Sequence, residues 1–162
     1  MLSKQMQQAL VEQINKEFHS AYIYLGMEAY FENENYKGMS AWMNKQVKEE
    51  ISHAMKFFRY VYERSGEVSL ETIEKVSVDY KNPLDVFKAG LEHEKFITSS
   101  IHGLYDLALA EKDYGTQELL RWYISEQVEE EANFEYVISL LEKSGDSPSG
   151  LMILDGKLGA RE

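Results

Sequence analysis

Four glutamates, Glu17, Glu50, Glu94 and Glu130, fall where a helical pattern calls for apolar residues. Each interrupts a separate stripe of 3.6-residue period. Glu17 sits among Met6, Leu10, Ile14, Ala21, Tyr24 and Phe31. Glu50 sits among Met39, Met43, Val47, Ala54, Phe57 and Val61. Glu94 lies with Phe87, Leu91, Ile101 and Tyr105, and Glu130 with Leu119, Tyr123, Gln127, Phe134, Val137 and Leu141. One glutamate on a core stripe is unremarkable, because stripe edges are wet. Four, one per helix and each near mid-helix, predict a single layer of carboxylates inside a bundle. Carboxylates gathered in a low-dielectric core repel, and each unpaired charge costs several kcal/mol. No lysine or arginine lies mid-stripe to pair with them. They must therefore be protonated or bind cations. Two divalent ions bring four positive charges to four carboxylates, so the cation reading closes the balance.

His53 sharpens the choice of ion. Glu50-x-x-His53 is the one Glu-x-x-His in the chain, and it places an imidazole one turn from Glu50 on nearly the same face. A nitrogen ligand among carboxylates points to a transition metal rather than calcium or magnesium. His19, His93 and His102 lack such company and read as surface or packing residues. Glu126 and Glu129 neighbour Glu130 at helical spacing, and Glu49 neighbours Glu50. They read either as a solvated acidic face or as a third cation position. Gln127 faces the same layer and suits a hydrogen bond to a bound ligand or water.

The elements that position these residues follow from caps and breakers. A first helix is expected over about Lys4–Asn33, with Ser3 as N-cap. A second is expected over Gly38–Ser65 with Gly66 as its stop, a third from Pro83 to Lys112, and a fourth over Thr116–Ser144 closed by Gly145. Ser147-Pro148 opens a short apolar tail around Leu151–Leu158, in which Gly156 and Gly159 weaken the helix. Short first and third connections force antiparallel hairpins. The connection from Gly66 to Asn82 reaches roughly 55 Å when extended, and a 28-residue helix is about 42 Å long. It can run the length of the bundle as a strap and make the second and third helices parallel. The expected fold is all-α: a four-helix bundle with a long crossover and a short fifth helix, one domain over 1–162. If the first hairpin turns at 34–37, Glu17 faces residue 54, one turn from Glu50. If the second turns at 112–115, Glu94 faces residue 133, one turn from Glu130. Trp42, Phe58 and Tyr60 are left as spare apolar positions on the outside.

The bulk composition is compatible with this reading. A net charge of −11 argues against nucleic acid and suits cations, although solubility alone explains much of it. The absence of cysteine excludes disulfides and thiolate sites and fits a cytoplasmic protein. No apolar run approaches the roughly 20 residues that span a bilayer, so no membrane association is expected.

The stretches 15–25, Glu49-Glu50-Ile51-Ser52-His53-Ala54, 92–97 and 122–131 resemble the four helix motifs of bacterial and archaeal non-haem ferritins over nearly the whole chain. The general pattern of ferritin-like di-metal bundles is two glutamates plus two Glu-x-x-His motifs. This chain departs from it in the fourth helix, with Gln127-x-x-Glu130, which separates it from bacterioferritin and rubrerythrin and matches ferritins proper. Ser52 stands where bacterioferritins carry a haem-ligating methionine, so no haem is expected. The resemblance implies an iron-storage protein with ferroxidase activity. Two Fe(II) would be oxidised by O2 or H2O2, and the product would enter a mineral inside a homo-oligomeric cage of 24 subunits. It assigns one iron to Glu17, Glu50 and His53, with Glu50 bridging to a second iron on Glu94 and Glu130. Glu49, Glu126 and Glu129, with Glu130, resemble a third iron position. Tyr24 is similar to a tyrosine that supplies an electron, and Trp122 is a weaker candidate of the same kind. Two rivals are a mineral-nucleating subunit without oxidase ligands and a rubrerythrin-like peroxidase. The first would have lost ligands, and none is missing. The second would need another Glu-x-x-His and usually a cysteine-rich iron site.

Overall fold

The helices begin where a side chain supplies an acceptor to otherwise unpaired amides. Ser3 accepts from the Met6 amide at 2.9 Å and opens α1, Lys4–Asn33. Asn82 caps α3, Pro83–Ala110, with Pro83 in the first turn. Asp113 caps α4, Tyr114–Ser144, and Ser147 caps α5, Pro148–Gly159. α2, Lys37–Glu63, has no local side-chain cap; the distant Asp155 carboxylate accepts from the Met39 amide at 2.8 Å instead. The structure, a computed structural model, describes residues 1–160. Arg161 and Glu162, the end of the expected domain, lie outside the described residues.

Three helix ends share one device. Asn35, Ser65 and Lys112 adopt left-handed backbone, with φ of 62°, 61° and 56°. In each case the next amide reaches back to the carbonyl five residues earlier: Tyr36 to Phe31, Gly66 to Val61, Asp113 to Ala108, at 2.8–2.9 Å. These are Schellman closures. Ser65, rather than the expected Gly66, takes the left-handed turn, so α2 ends two residues early. α4 starts before the expected Thr116, because the Asp113 carboxylate caps from further upstream.

Side-chain pairs fix the topology. Ser3 bonds Glu111 and Phe31 packs on Phe87, so α1 and α3 run antiparallel. Arg64 pairs with Asp113 at 3.1 Å and Gln46 bonds Glu130, so α2 and α4 run antiparallel. Because α1 and α2 form a hairpin, α2 and α3 are parallel, as the strap length predicts. Asn15 holds the strap from both sides, donating to the Ser69 carbonyl and accepting from the Glu71 amide. At Gly26 an added Cβ would stand 2.5 Å from the Ser77 carbonyl oxygen, so the strap lies against α1 there.

The apolar core is divided. One cluster, including Tyr24, Phe31, Met43, Phe87 and Phe134, fills the end nearer α5. Another, including Leu10, Phe57, Ile101 and Tyr123, fills the opposite end. The stripes shift slightly from expectation: Val47, Leu91, Tyr105 and Leu119 are only partly buried, while Gln46, Ile97, Leu104 and Leu120 are buried. Trp42, expected outside, is in the core against Phe87 and Phe134. Phe58 and Tyr60 are half-buried.

α5 forms despite its glycines because two of its residues sit in the α5-end core, Leu154 and Leu158. Its approach to α2 is backbone on backbone: an added Cβ on Gly38 would collide with the Asp155 carbonyl, and one on Gly159 would meet the Gly38 Cα at 2.9 Å. Gly38→Ala is therefore expected to destabilise by about 2–3 kcal/mol, because backbone cannot rotate away, and to expose α5 to limited proteolysis. An α5 as protease-resistant as in the parent chain would show that the contact is looser than described.

Candidate metal centre

The four stripe glutamates converge between the two apolar clusters. Glu17, Glu50, Glu94 and Glu130 are all 1–2% exposed, and His53 is 4% exposed. Ligand atoms of Glu17, Glu50 and His53 lie within 4.8 Å of one another, and so do those of His53, Glu126 and Glu130. His53 stands between these groups. Its Nδ1 is 3.5 Å from Glu50 and its Nε2 is 3.7 Å from Glu126. The Tyr123 hydroxyl donates to the His53 carbonyl at 2.7 Å, and Tyr123 stacks on Phe57, so the α2 backbone beside the histidine is fixed by α4.

Three of the four carboxylates are oriented by a named donor. Gln13 donates to Glu17 Oε1 at 2.8 Å, Gln46 to Glu130 Oε2 at 2.7 Å, and Gln127 to Glu94 Oε2 at 2.9 Å. Gln127 also contacts the Glu94 carbonyl and the Thr98 hydroxyl. The Tyr24 hydroxyl donates to Glu94 Oε1. The donors are neutral, so they orient the carboxylates without cancelling their charge. Glu17 Oε2 is buried with no hydrogen-bond partner, a state that costs a carboxylate several kcal/mol unless a cation faces it.

The electrostatics agree. Burial, and then repulsion from Glu50, pushes Glu17 well above the usual carboxylate range. Burial and repulsion from Glu94 do the same to Glu50. Burial raises Glu94 to about 6, against the opposing bonds from Tyr24 and Gln127. Burial and the Glu94 charge raise Glu130 to about 7. Burial, with Glu94 next, raises the Tyr24 hydroxyl far above its ordinary value. A cluster that resists ionisation as it stands is a strong acceptor of cations, which replace the protons it holds.

The other expected residues are less tightly gathered. Glu126 is half-buried beside His53, Glu129 is exposed, and Glu49 acts electrostatically on Glu50 and Glu130. Neither close ligand group includes Glu49 or Glu129. The Trp122 ring packs edge-on against His53 at 5.5 Å and carries Lys56 Nζ 3.2 Å from its centroid. His93 packs on Tyr24 and hydrogen-bonds Ser20 at 2.7 Å, and burial lowers it to about 4.

Residues 7–144 match the ferritin-like domain family. The chain belongs to the ferritin family. A bacterial non-heme ferritin of Bacteroides fragilis (strain 638R) is 38% identical over 161 residues, covering 99% of this chain and all of that one. One of Staphylococcus aureus (strain USA300) is 35% identical, covering 99% of this chain and 97% of its own. Among solved structures, the open pore ferritin of the archaeon Archaeoglobus fulgidus superposes with a TM-score of 0.98 at 42% identity, covering both chains fully. Against this family background, the residues that sequence reading overlooked are Gln13 and Gln46. Gln13 lies four residues before its partner Glu17, a spacing that could have suggested it, whereas Gln46 bonds Glu130 of another helix and carries no local signal.

Proposed function

We propose that this ferritin oxidises Fe(II) at the carboxylate layer and stores Fe(III) as mineral inside a homo-oligomeric cage of 24 subunits, the whole chain 1–162 serving as one domain. The observation that carries the reading is the buried group of Glu17, Glu50 and His53, with ligand atoms within 4.8 Å of one another and Glu17 Oε2 left without a partner. Iron is the substrate here. Glu17, Glu50 and His53, through Nδ1, take one Fe(II). Glu50 bridges to a second, held also by Glu94 and Glu130. Each Fe(II) gives one electron, and the pair reduces O2 with two protons to H2O2; H2O2 itself can serve as the oxidant and leave as water. The hard carboxylates stabilise the Fe(III) product.

The chain's own groups do the rest. Gln127 and Tyr24 hold both oxygens of Glu94, leaving their far lone pairs for the ion. Tyr24, the oxidisable side chain hydrogen-bonded to the layer, supplies an electron when only one is available from iron. Trp122, in edge contact with His53, is a secondary donor. Glu126, within reach of His53 and Glu130, begins a third iron position, which Glu49 and Glu129 complete as they reorient toward the ion.

The test combines size and stoichiometry. Light scattering should find a particle near 450 kDa, about 24 times the 18.8 kDa chain. Anaerobic Fe(II) titration followed by an O2 pulse should show fast oxidation saturating at two Fe(II) per subunit, with a slower third when the Glu126 position fills. A monomer, or a chain that binds no iron, would overturn the reading.

A further inference from the structure

The surface side of α1 and α3 carries a chain of hydrogen bonds that ends on Glu17. Lys16 Nζ donates to Ser100 Oγ at 2.8 Å. Ser100 Oγ donates to Gln13 Oε1 at 2.7 Å. Gln13 Nε2 donates to Glu17 Oε1 at 2.8 Å. Lys16 and Ser100 are half-buried, whereas Gln13 is 1% exposed and Glu17 is 1% exposed. The chain thus runs from the rim of the bundle to the carboxylate layer and crosses from α1 to α3 and back.

Its direction starts from the one obligate donor, Lys16. An ammonium only donates, so the Ser100 oxygen must accept from Lys16. A hydroxyl has one proton and two lone pairs; Lys16 occupies one lone pair, and the proton is given to Gln13 Oε1. The Gln13 amide must then present its oxygen to Ser100 and its NH2 to Glu17. Without this, Gln13 could turn over and aim its oxygen at the carboxylate, where two acceptors would repel. The outcome is that Oε1 of Glu17 is tied down and Oε2, the atom without a partner, is left free for an ion.

We propose that Lys16 and Ser100 are positioning residues: acting through Gln13, they fix which oxygen of Glu17 is offered to a divalent ion. Gln46 and Gln127 meet Glu130 and Glu94 with the same amide donor, so three of the four carboxylates keep one oxygen engaged by a glutamine. For Glu17, a lysine charge at the rim sets the polarity. This inference rests on the di-iron reading above, since it assumes that Glu17 holds an ion.

The experiment uses the assembled iron-free protein and two probes other than iron. Zn²⁺ binding is measured by calorimetry, and the Co²⁺ d–d spectrum reports ligand number. In Ser100→Ala the chain is cut. The Zn²⁺ site that contains Glu17 should weaken roughly three- to tenfold, at the low end of losses seen when ligand-orienting partners are removed. The Co²⁺ band of that site should shift, while the second site and the thermal melt stay as in the parent. Ser100→Thr, which keeps the hydroxyl, should restore both signals. Lys16→Met, which leaves the serine proton free to turn, should give a smaller weakening of the same site. Parent-like Zn²⁺ affinity in Ser100→Ala would overturn the proposal. So would a loss that Ser100→Thr fails to restore, because the effect would then belong to helix packing. A parent protein that binds fewer than two Zn²⁺ or Co²⁺ per subunit would overturn the di-iron reading itself, and is told apart by being seen before any substitution.

Discussion

Glu50→Gln is expected to lose fast Fe(II) oxidation while making the iron-free protein more stable at pH 8. The two effects have one cause. Glu50 is 2% exposed and shares its layer with Glu17, Glu94 and Glu130, whose charges repel its own. The amide keeps the volume and removes the charge, so iron-free stability should rise by on the order of 1 kcal/mol or more per subunit. The same change removes the carboxylate proposed to bridge two ions. Fast oxidation should fall roughly a hundredfold or more, beyond what loss of an orienting partner costs. His53→Ala should also abolish the fast phase, but without the gain in stability, since it leaves the carboxylates in place and opens a void. Stopped-flow oxidation and thermal unfolding of the iron-free protein check both halves. Unchanged oxidation rates in both variants would remove Glu50 and His53 from the site. A slow and destabilised Glu50→Gln would mean that the defect is folding.

The second large effect is a dependence of iron-free stability on pH. Glu94 is raised from an ordinary 4.5 to about 6 and Glu130 from 4.5 to about 7, chiefly by burial. A carboxyl raised in the folded state binds its proton more tightly there than in the unfolded chain. Its contribution to stability is therefore complete below pH 4.5 and is lost as pH climbs through about 6 and about 7. The loss is on the order of 2 kcal/mol for Glu94 and 3 kcal/mol for Glu130. The iron-free protein should melt at progressively lower temperature from pH 5 to pH 8. Zn²⁺ should raise the melt strongly at pH 8 and little at pH 5, because metal and protons compete for the same oxygens. Repulsion among surface charges acts in the same direction, so Glu94→Gln and Glu130→Gln serve as controls, and each should flatten the slope. A melting temperature that is level or rising between pH 5 and pH 8 would contradict the burial of these groups.

The carboxylate layer was legible in the sequence because it violates a local rule. A charged residue on a 3.6-period apolar stripe stands out within its own helix, and Glu17, Glu50, Glu94 and Glu130 all do so. His53 followed from its spacing to Glu50, and the parallel arrangement of α2 and α3 followed from chain length alone. What local pattern could not show depends on partners in other helices. Gln46 reads as the wet edge of the α2 stripe until Glu130 of α4 is seen to need a donor. Gln13 reads the same way until Ser100 of α3 appears beside it. Trp42 was placed outside because Met39 and Met43 already filled the α2 stripe. The buried arc is wider there, since Phe87, Phe134 and α5 close over the tryptophan. The α5 segment was underrated because glycine lowers helix propensity, whereas here glycine permits the backbone contact that holds the helix in place. Helix boundaries moved where left-handed serine and lysine residues closed helices without glycine.

The strap has a consequence for how a site is completed. It makes two hairpins out of one chain, and the ligands divide between them. The proposed ligands Glu17, Glu50 and His53 come from the first hairpin, and Glu94 and Glu130, with Gln127 holding Glu94, from the second. Neither hairpin owns a finished centre. The seam between them is closed by apolar packing at both ends and is electrostatically sprung in the middle. An ion seated there acts as a rivet across the seam, turning repulsion between two halves into a joint. Cargo entering the protein thereby fastens the wall of the container that receives it.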